Sequence, residues 1–187
     1  AINKNKNPLL FSTNYNGEFL FDFELPNNFL VSHEPNPIHN KTLEGLSHSF
    51  NKDGFWTAFE LPIIQDGDEP SYQKANSPIR ITYFDKETRK ATKEFAYQLD
   101  PITKPYVGDY NLNGLTDILE FKPNHFIIIE RTYQSGKGTQ GNTINLFHTW
   151  IEKSSTNTLA IKSLKKSDFI PLKKELVFSF DVVKDQL

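Results

Sequence analysis

Four acidic residues lie at the ends of stretches in which apolar and polar residues alternate. Glu44 opens one such stretch, Glu60 and Asp66 follow the next one, and Glu130 ends a later one. Carboxylates that meet at one place repel each other unless a cation or a basic side chain compensates their charge. Calcium takes six to eight oxygen ligands in loose geometry, and a bound metal ion can hold a phosphate or polarise an ester carbonyl. We therefore predict a calcium site with the ligands Glu44, Glu60, Asp66 and Glu130.

A second set of side chains is predicted to hold a substrate beside this metal. Arg131 directly follows Glu130, and a guanidinium binds an anionic group through two parallel hydrogen bonds. The predicted substrate-binding residues are Glu60, Glu130, Arg131 and Asn142. A structural alternative stays open, in which Glu130 pairs with Arg131 or with an arginine of another repeat and Glu44 caps backbone amides.

The sequence offers no recognisable pair of nucleophile and base. It has no Gly-x-Ser-x-Gly segment, which argues against a serine hydrolase of the usual α/β type. Ser47 and His48 are adjacent on a predicted strand, so their side chains point to opposite faces. The glycine-rich residues 135–142 lack the Gly-Lys-Ser/Thr ending of a phosphate-binding loop. The catalytic residues therefore stay unassigned.

The element that positions the first acids is the segment from Leu43 to Gly67. Apolar residues alternate on both sides of the turn sequence Asn-Lys-Asp-Gly at 51–54, which is typical of two adjacent strands in a hairpin. The segment then ends in the acidic loop that contains Asp66.

The same plan occurs more than once along the chain. Residues 43–100 and 113–164 each fit four short strands, with Glu60 and Glu130 at corresponding places. The predicted strands are 44–50, 55–60, 79–85 and 91–99 in the first repeat, and 115–122, 125–133, 143–152 and 157–162 in the second. Repeats of four short strands are typical of propeller blades.

The two ends of the chain each fit part of a further repeat. Residues 1–26 resemble the second half of the first repeat, and 165–187 contain a lysine-rich connection followed by the start of a next strand at 176–183. We therefore predict an all-β fold, a single domain over 1–187 that is an incomplete β-propeller of about two and a half blades.

This architecture makes two further predictions. Trp56 and Phe59 lie in the second strand of a blade and should pack between blades, because both faces of that strand are covered. Repeat symmetry should also bring Glu60 and Glu130 to the same rim, with Asp66 and Arg131 close by.

Composition limits the class of partner. The 21 basic and 23 acidic residues are well mixed and give a net charge of −2, which argues against nucleic acid as a partner. No apolar run approaches the roughly 20 residues of a transmembrane helix. Cysteine is absent, so disulfides and thiol catalysis are excluded. His33 and His39 are candidate metal ligands by residue type alone, and solvated turns are the better interpretation.

Six short segments occur in an order that resembles a known family. They are LEGLSHSF, FELPIIQDG, RITYFD, FAYQLDP, NGLTDILEF and IIIERTY, and they span roughly Gly17 to Phe147 together with their flanks. In this order they look like the phytase-like domain family, named for an esterase-like activity of phytase. The resemblance implies a β-propeller, export to the periplasm or the medium, and hydrolysis of esters or phosphoesters.

Two functions follow as expectations. The first is a metal-assisted hydrolase that acts on a small-molecule ester or phosphate. The alternative is a non-catalytic propeller module that binds a ligand or a protein partner at its acidic rim, which the missing nucleophile favours.

Overall fold

The computed structural model describes residues 7–30, 41–74, 76–140 and 142–186. His33 and His39 lie outside these residues. The described residues form strands joined by turns, loops and short 3-10 segments, without an α-helix, so the all-β prediction is confirmed.

The strands form three antiparallel sheets of two, four and four strands, each in chain order. The first sheet is a hairpin of β1 (Phe11–Thr13) and β2 (Phe19–Asp22). The second contains β3 (Leu43–His48), β4 (Gly54–Phe59), β5 (Pro78–Asp85) and β6 (Lys90–Gln98). The third contains β7 (Asn111–Lys122), β8 (His125–Gln134), β9 (Thr143–Trp150) and β10 (Lys173–Ser179). None of these sheets closes on itself.

The fourth strand of the β7–β10 sheet lies later in the sequence than expected. Residues 157–162 are not a strand; β10 pairs with β9 instead, and Glu175 lies opposite His148. The physical reason is that 156–172 lies along the β3–β6 sheet. The amide of Thr158 donates to Glu94 O at 2.7 Å, and the amide of Leu172 donates to Ala96 O at 2.8 Å. The strand predicted at 176–183 is thus the last part of β10 followed by a 3-10 turn.

Trp56 packs between the two larger sheets, as predicted. Its ring meets Phe126 of β8 edge to face, with 5.1 Å between ring centroids, and only 2% of the residue is exposed. The indole nitrogen donates to Glu120 Oε2 of β7 at 3.1 Å. Phe59 lies an odd number of residues away and points to the opposite face, where it contacts Phe29 at 4.6 Å. Phe59 is thus buried, at 1% exposure, against the 3-10 segment Asn27–Phe29 that comes after β2, and not against the β7–β10 sheet.

The opposite face of the β3–β6 sheet is partly covered by the β1–β2 hairpin. Phe23 follows β2 and meets Phe55 edge to face at 4.6 Å and Phe84 at 6.3 Å. Three layers therefore stack in chain order, and the aromatic residues between them form a continuous core.

The first strands of the two larger sheets, β3 and β7, run side by side. A Cβ atom on Gly45 would lie 2.8 Å from Ile118 Cγ2 and 3.1 Å from Leu115 Cδ2. Glycine is needed there because any side chain would force β3 and β7 apart. This close approach brings the start of β3, the end of β4 and the start of β7 together, and these are the elements that carry the predicted acids.

Candidate functional site

Several loops gather at one end of the two larger sheets, which we call the Glu60 rim. It comprises residues 41–42, 60–74, 76–77, 99–110, 135–140 and 142. Contacts between the loops hold it together: Lys41 Nζ pairs with Glu69 Oε1 at 2.8 Å, and the amide of Gly136 donates to Val107 O at 2.9 Å. The opposite ends of β3, β5 and β7 have short turns, and the long connection from β9 to β10 passes along the β3–β6 sheet.

Glu60 is held in place by its own backbone. Its amide donates to Thr42 O at 2.6 Å, and its carbonyl accepts from the amide of Leu115 at 3.1 Å. Its side chain lies over Gly114 of β7, where an added Cβ would come within 2.9 Å of Glu60 Cγ. Gly114 thus leaves the space in which the Glu60 side chain lies, and 9% of Glu60 remains exposed.

The charges around Glu60 act on its ionisation in opposite directions. Burial raises the pKa of Glu60 most, and the nearby carboxylate of Glu44 raises it further. The cations Lys41 and Arg131 lower it, and Glu69 raises it slightly. The net effect is a pKa above that of an ordinary glutamate, so this carboxyl keeps a proton at a higher pH than a surface acid does.

Glu44 and Arg131 border this carboxyl from two strands. In β3, Leu43 lies opposite Phe59 and Gly45 opposite Ala58, so Glu44 is the extra residue of a β-bulge. Bulges re-aim side chains and are common beside active sites. Arg131 lies opposite Gly114, and both Glu44 and Arg131 are exposed. The structure therefore brings together Glu44, Glu60 and Arg131 of the predicted residues.

Glu130 is not part of this group. It faces the β3–β6 sheet and is only 1% exposed, while Arg131 points to the other face. The Glu130 carboxylate accepts from four donors: Tyr97 Oη at 2.6 Å, Asn113 Nδ2 at 2.7 Å, Lys174 Nζ at 2.8 Å and the amide of Asp100 at 3.1 Å. The cation that compensates the charge of Glu130 is Lys174 of β10. Glu130 therefore does not pair with Arg131, as the structural alternative expected.

Asp66 is likewise occupied elsewhere. Arg80 Nε donates to Asp66 Oδ2 at 2.6 Å and Nη2 donates to Oδ1 at 2.9 Å, a two-bond ion pair with both side chains 1% exposed or less. Arg80 also pairs with Glu94, and Asp66 accepts from the amide of Leu164 at 2.9 Å. Asp66 therefore anchors the 156–172 segment to the β3–β6 sheet.

The predicted four-carboxylate metal site is not assembled. Within the described ranges, no three residues of histidine, aspartate or glutamate form a group that could hold a metal ion. Lys174 and Arg80 supply the positive charge next to Glu130 and Asp66. Glu44 and Glu60 remain as two acids of which the first acts electrostatically on the second. Asn142 lies half-buried at the same rim, directly before β9.

The sequence interpretation missed the two cations, Arg80 and Lys174, that pair with Asp66 and Glu130. Lys174 lies in a lysine-rich tail that resembles a solvated surface, yet its amine contacts Glu130, Asp100 and the carbonyl of Gln98. Arg80 could have been found from the sequence, because an arginine inside an apolar strand needs a buried acid as partner. Lys174 has no comparable signal, since its partners are brought close only by the β9–β10 pairing.

Comparison with known proteins identifies one family. A family model described as "Phytase-like: Esterase-like activity of phytase" matches residues 3–185, nearly the whole chain. No curated protein and no solved structure matches. Within the described residues, no helix is long and apolar enough to cross a bilayer.

Proposed function

The chain belongs to the phytase-like family, and on that premise we propose that it hydrolyses esters or phosphoesters at the Glu60 rim. The observation that carries this proposal is the largely buried Glu60 carboxyl, which lies over Gly114, interacts with the exposed charges of Glu44 and Arg131, and has a raised pKa. Acids of this kind, perturbed by burial and by a specific charged neighbour, are typical of functional sites.

The three side chains suit distinct tasks in such a reaction. Arg131 is exposed and carries a permanent positive charge, so it can bind a phosphate or carboxylate oxygen through parallel N–H groups. Glu60 in its protonated form can donate a proton to the leaving oxygen, which is the role of a carboxyl whose pKa is raised. Burial raises the pKa of Glu60 most, and the charge of Glu44 adds to this effect, so both favour the protonated form of Glu60.

Calcium stays part of the proposal in a reduced form. As an alternative to protonation of Glu60, a divalent cation would relieve the repulsion between ionised Glu44 and Glu60, and Glu60 would then not act as the general acid. Asp66 and Glu130 are compensated by the chain's own cations. Calcium bound here would supply a positive centre for an anionic substrate. The four predicted calcium ligands are thus reduced to two, Glu44 and Glu60, and Arg131 is the nearby cation.

The test is a comparison of Glu60→Gln with a matched variant, Glu87→Gln, an exposed acid in the β5–β6 turn. Nitrophenyl esters and nitrophenyl phosphate serve as substrates. General acid catalysis contributes about 10²–10⁴-fold, so Glu60→Gln should lower kcat/KM by about 100-fold or more, and Glu87→Gln should leave it unchanged. Equal rates for wild type and Glu60→Gln would refute the assignment.

The second candidate is a binding module without chemistry at the same rim. This candidate is favoured because two of the four predicted acids, Asp66 and Glu130, have structural roles: they join the sheets and their neighbouring segments, which leaves fewer groups for catalysis. In this case the wild-type protein hydrolyses neither substrate above its heat-inactivated control. A thermal-shift titration with calcium would still show a shift, and Glu60→Gln would reduce it.

We also propose a propeller fold and export from the cytoplasm. The two four-stranded sheets pack face to face in chain order with β3 beside β7, as consecutive propeller blades do. We interpret them as two blades, with the β1–β2 hairpin as half of a preceding one. Export to the periplasm or the medium is proposed from family membership alone. Scattering of the whole natural protein would test the ring, and cell fractionation would test export.

A further inference from the structure

A groove lies at the end of the strands opposite the Glu60 rim, where the β1–β2 hairpin faces the first strands of the two larger sheets. Its volume is about 1070 Å³. The walls are lined mostly by apolar and aromatic side chains, among them Phe11, Phe21, Leu46, Phe50, Leu119 and Phe121. Small-molecule sites are clefts of about 300–1,000 Å³ with a lining of this kind. The groove therefore has the size and the surface of a site for a largely apolar ligand.

The described residues leave the apolar lining of the groove open to solvent. Leu46 on β3 is 60% exposed and Leu119 on β7 is 57% exposed. Phe11, Phe50 and Phe121 are exposed as well. Contiguous exposed apolar surface is typical of ligand-binding grooves and of interfaces. A hydrocarbon chain that lies along these side chains would be bound by the hydrophobic effect, because its methylene groups and the lining would leave water together.

Lysine side chains border the groove at one end. Lys52 lies in the β3–β4 turn and Lys86 in the β5–β6 turn, and both are exposed residues of the groove lining. In the part of the chain that the structure describes, neither forms an ion pair. A third cation, Arg89, lies on the hairpin side, with its Cζ 4.1 Å from the centre of the Phe21 ring. This positive charge beside the apolar lining favours a ligand with an anionic group.

One carboxylate, Glu120, also lines the groove. Its Oε2 accepts from the amide of Phe50 at 2.6 Å and from Nε1 of Trp56 at 3.1 Å, and its Oε1 accepts from the amide of Asn124 at 2.8 Å. Only 8% of the residue is exposed. Glu120 therefore joins the residue that follows β3 to β7, and its oxygens are occupied by these donors, whereas the lysines are open to a ligand.

We propose that this groove binds a long-chain carboxylate, an anion with one unbranched hydrocarbon chain. The chain lies along Leu46, Leu119 and the phenylalanines of the groove, and the carboxylate pairs with Lys52 and Lys86. Burial of the chain supplies most of the affinity, and the two ammonium groups select an anion over a neutral alcohol of the same length. A docked strand or a further sheet would use the apolar lining but would not need these cations. The two lysines therefore distinguish a carboxylate from such a partner.

The groove is separate from the Glu60 rim. Lys52 precedes β4, whereas Glu60 follows β4 at its other end. Lys86 lies at the same end of the sheet as Lys52, because Gly54 pairs with Asp85. Failure of the hydrolase assay would therefore leave this proposal unaffected.

The test is titration calorimetry of the full chain with dodecanoate, below the concentration at which dodecanoate forms micelles. We expect saturable binding of one dodecanoate per chain. Each buried methylene contributes about fourfold in affinity, so decanoate should bind about 15-fold more weakly. Dodecanol has the same chain without the charge and should also bind more weakly, and added salt should weaken the binding of dodecanoate only. The absence of saturable binding, or equal affinity of dodecanoate with decanoate or with dodecanol, would overturn the proposal.

One pair of variants tests the apolar lining. Leu46→Ser changes an exposed residue and should weaken dodecanoate binding by at least about fivefold, because the ligand loses a hydrocarbon contact. The matched control is Leu176→Ser on β10, where the leucine is 56% exposed and lies outside the groove, and it should bind as wild type. Leu119→Ser takes the place of Leu46→Ser if a thermal melt shows that the latter does not fold.

A second pair tests the charge. Lys52→Asn combined with Lys86→Gln should weaken dodecanoate binding by about 2- to 30-fold and leave dodecanol binding unchanged. Asparagine suits position 52, where φ is 62°. The matched control, Lys153→Gln with Lys166→Gln, removes the same charge from exposed sites outside the groove and should bind as wild type.

Unchanged dodecanoate affinity in either groove variant, or an equal loss in its control, would overturn the proposal. Light scattering gives the remaining outcome. A dimer that Leu46→Ser converts to a monomer would also overturn it, because the groove would then be an interface between two copies of the chain.

Discussion

Replacement of Glu130 by alanine should destabilise the fold, although Glu130 was predicted from the sequence as a ligand. The carboxylate is 1% exposed and accepts four hydrogen bonds. Its loss leaves the hydroxyl of Tyr97 and the amide of Asp100 without this acceptor, at about 1–3 kcal/mol each. Lys174 keeps Asp100 and the carbonyl of Gln98, so its charge is only partly uncompensated. The sum agrees with the 3–5 kcal/mol typical of breaking a buried ion pair.

Equilibrium unfolding in urea measures this cost directly. For a chain of this length, 3–5 kcal/mol corresponds to a fall in Tm of about 6–20 °C. Arg131→Gln is the control, because it changes the adjacent, exposed residue on the other face and should stay within about 0.5 kcal/mol of wild type. A loss below 1 kcal/mol for Glu130→Ala, or an equal loss for Arg131→Gln, would refute the structural role of Glu130.

Two further predictions concern Trp56 and Glu60. Trp56→Ala removes the aromatic contact with Phe126 and the hydrogen bond to Glu120, and it should cost about 3–5 kcal/mol in urea unfolding; a cost under 1 kcal/mol would contradict packing between the sheets. Because the pKa of Glu60 is raised in the folded state, the folded chain binds more protons than the unfolded chain above about pH 4.3, so stability falls as pH rises through that window. Glu60→Gln should make this slope less steep in unfolding measured across pH 4 to 7, while Glu94, whose pKa is also raised, keeps its own contribution; an unchanged slope would contradict the raised pKa of Glu60.

The fold could be predicted from the sequence wherever a local signal was present. Alternation and turn residues at 51–54 predicted the β3–β4 hairpin, and seven of the eight strands expected in the two repeats overlap observed ones. The exception, 157–162, carries no alternation strong enough to exclude a loop. This segment lies along β6, the edge strand of the other large sheet. It is held there by Arg80, which donates to the carbonyl of Thr158 from 78 residues away in the sequence.

The site was predicted less completely than the fold. Repeat symmetry predicts how far along the sheet a residue lies, but it does not predict the face of the sheet to which the side chain points. Glu60 follows β4, whereas Glu130 lies inside β8, opposite Leu115, and points into the sheet interface. Gly114 gives the clearest sequence signal of their difference, since it leaves space for Glu60. The raised pKa of Glu60 could not be derived without knowing its burial.

The three buried acids of this region differ in what compensates their charge, and this difference separates structure from function. Asp66 has a two-bond ion pair with Arg80, and Glu130 has Lys174 together with three other donors. Such fully bonded carboxylates hold sheets together and gain nothing from a ligand. Burial and the carboxylates of Glu44 and Glu69 raise the pKa of Glu60 by more than the cations Lys41 and Arg131 lower it. A cation or a proton-accepting substrate would lower the free energy of this group more than that of either other acid, so the rim around Glu60 is where binding is expected.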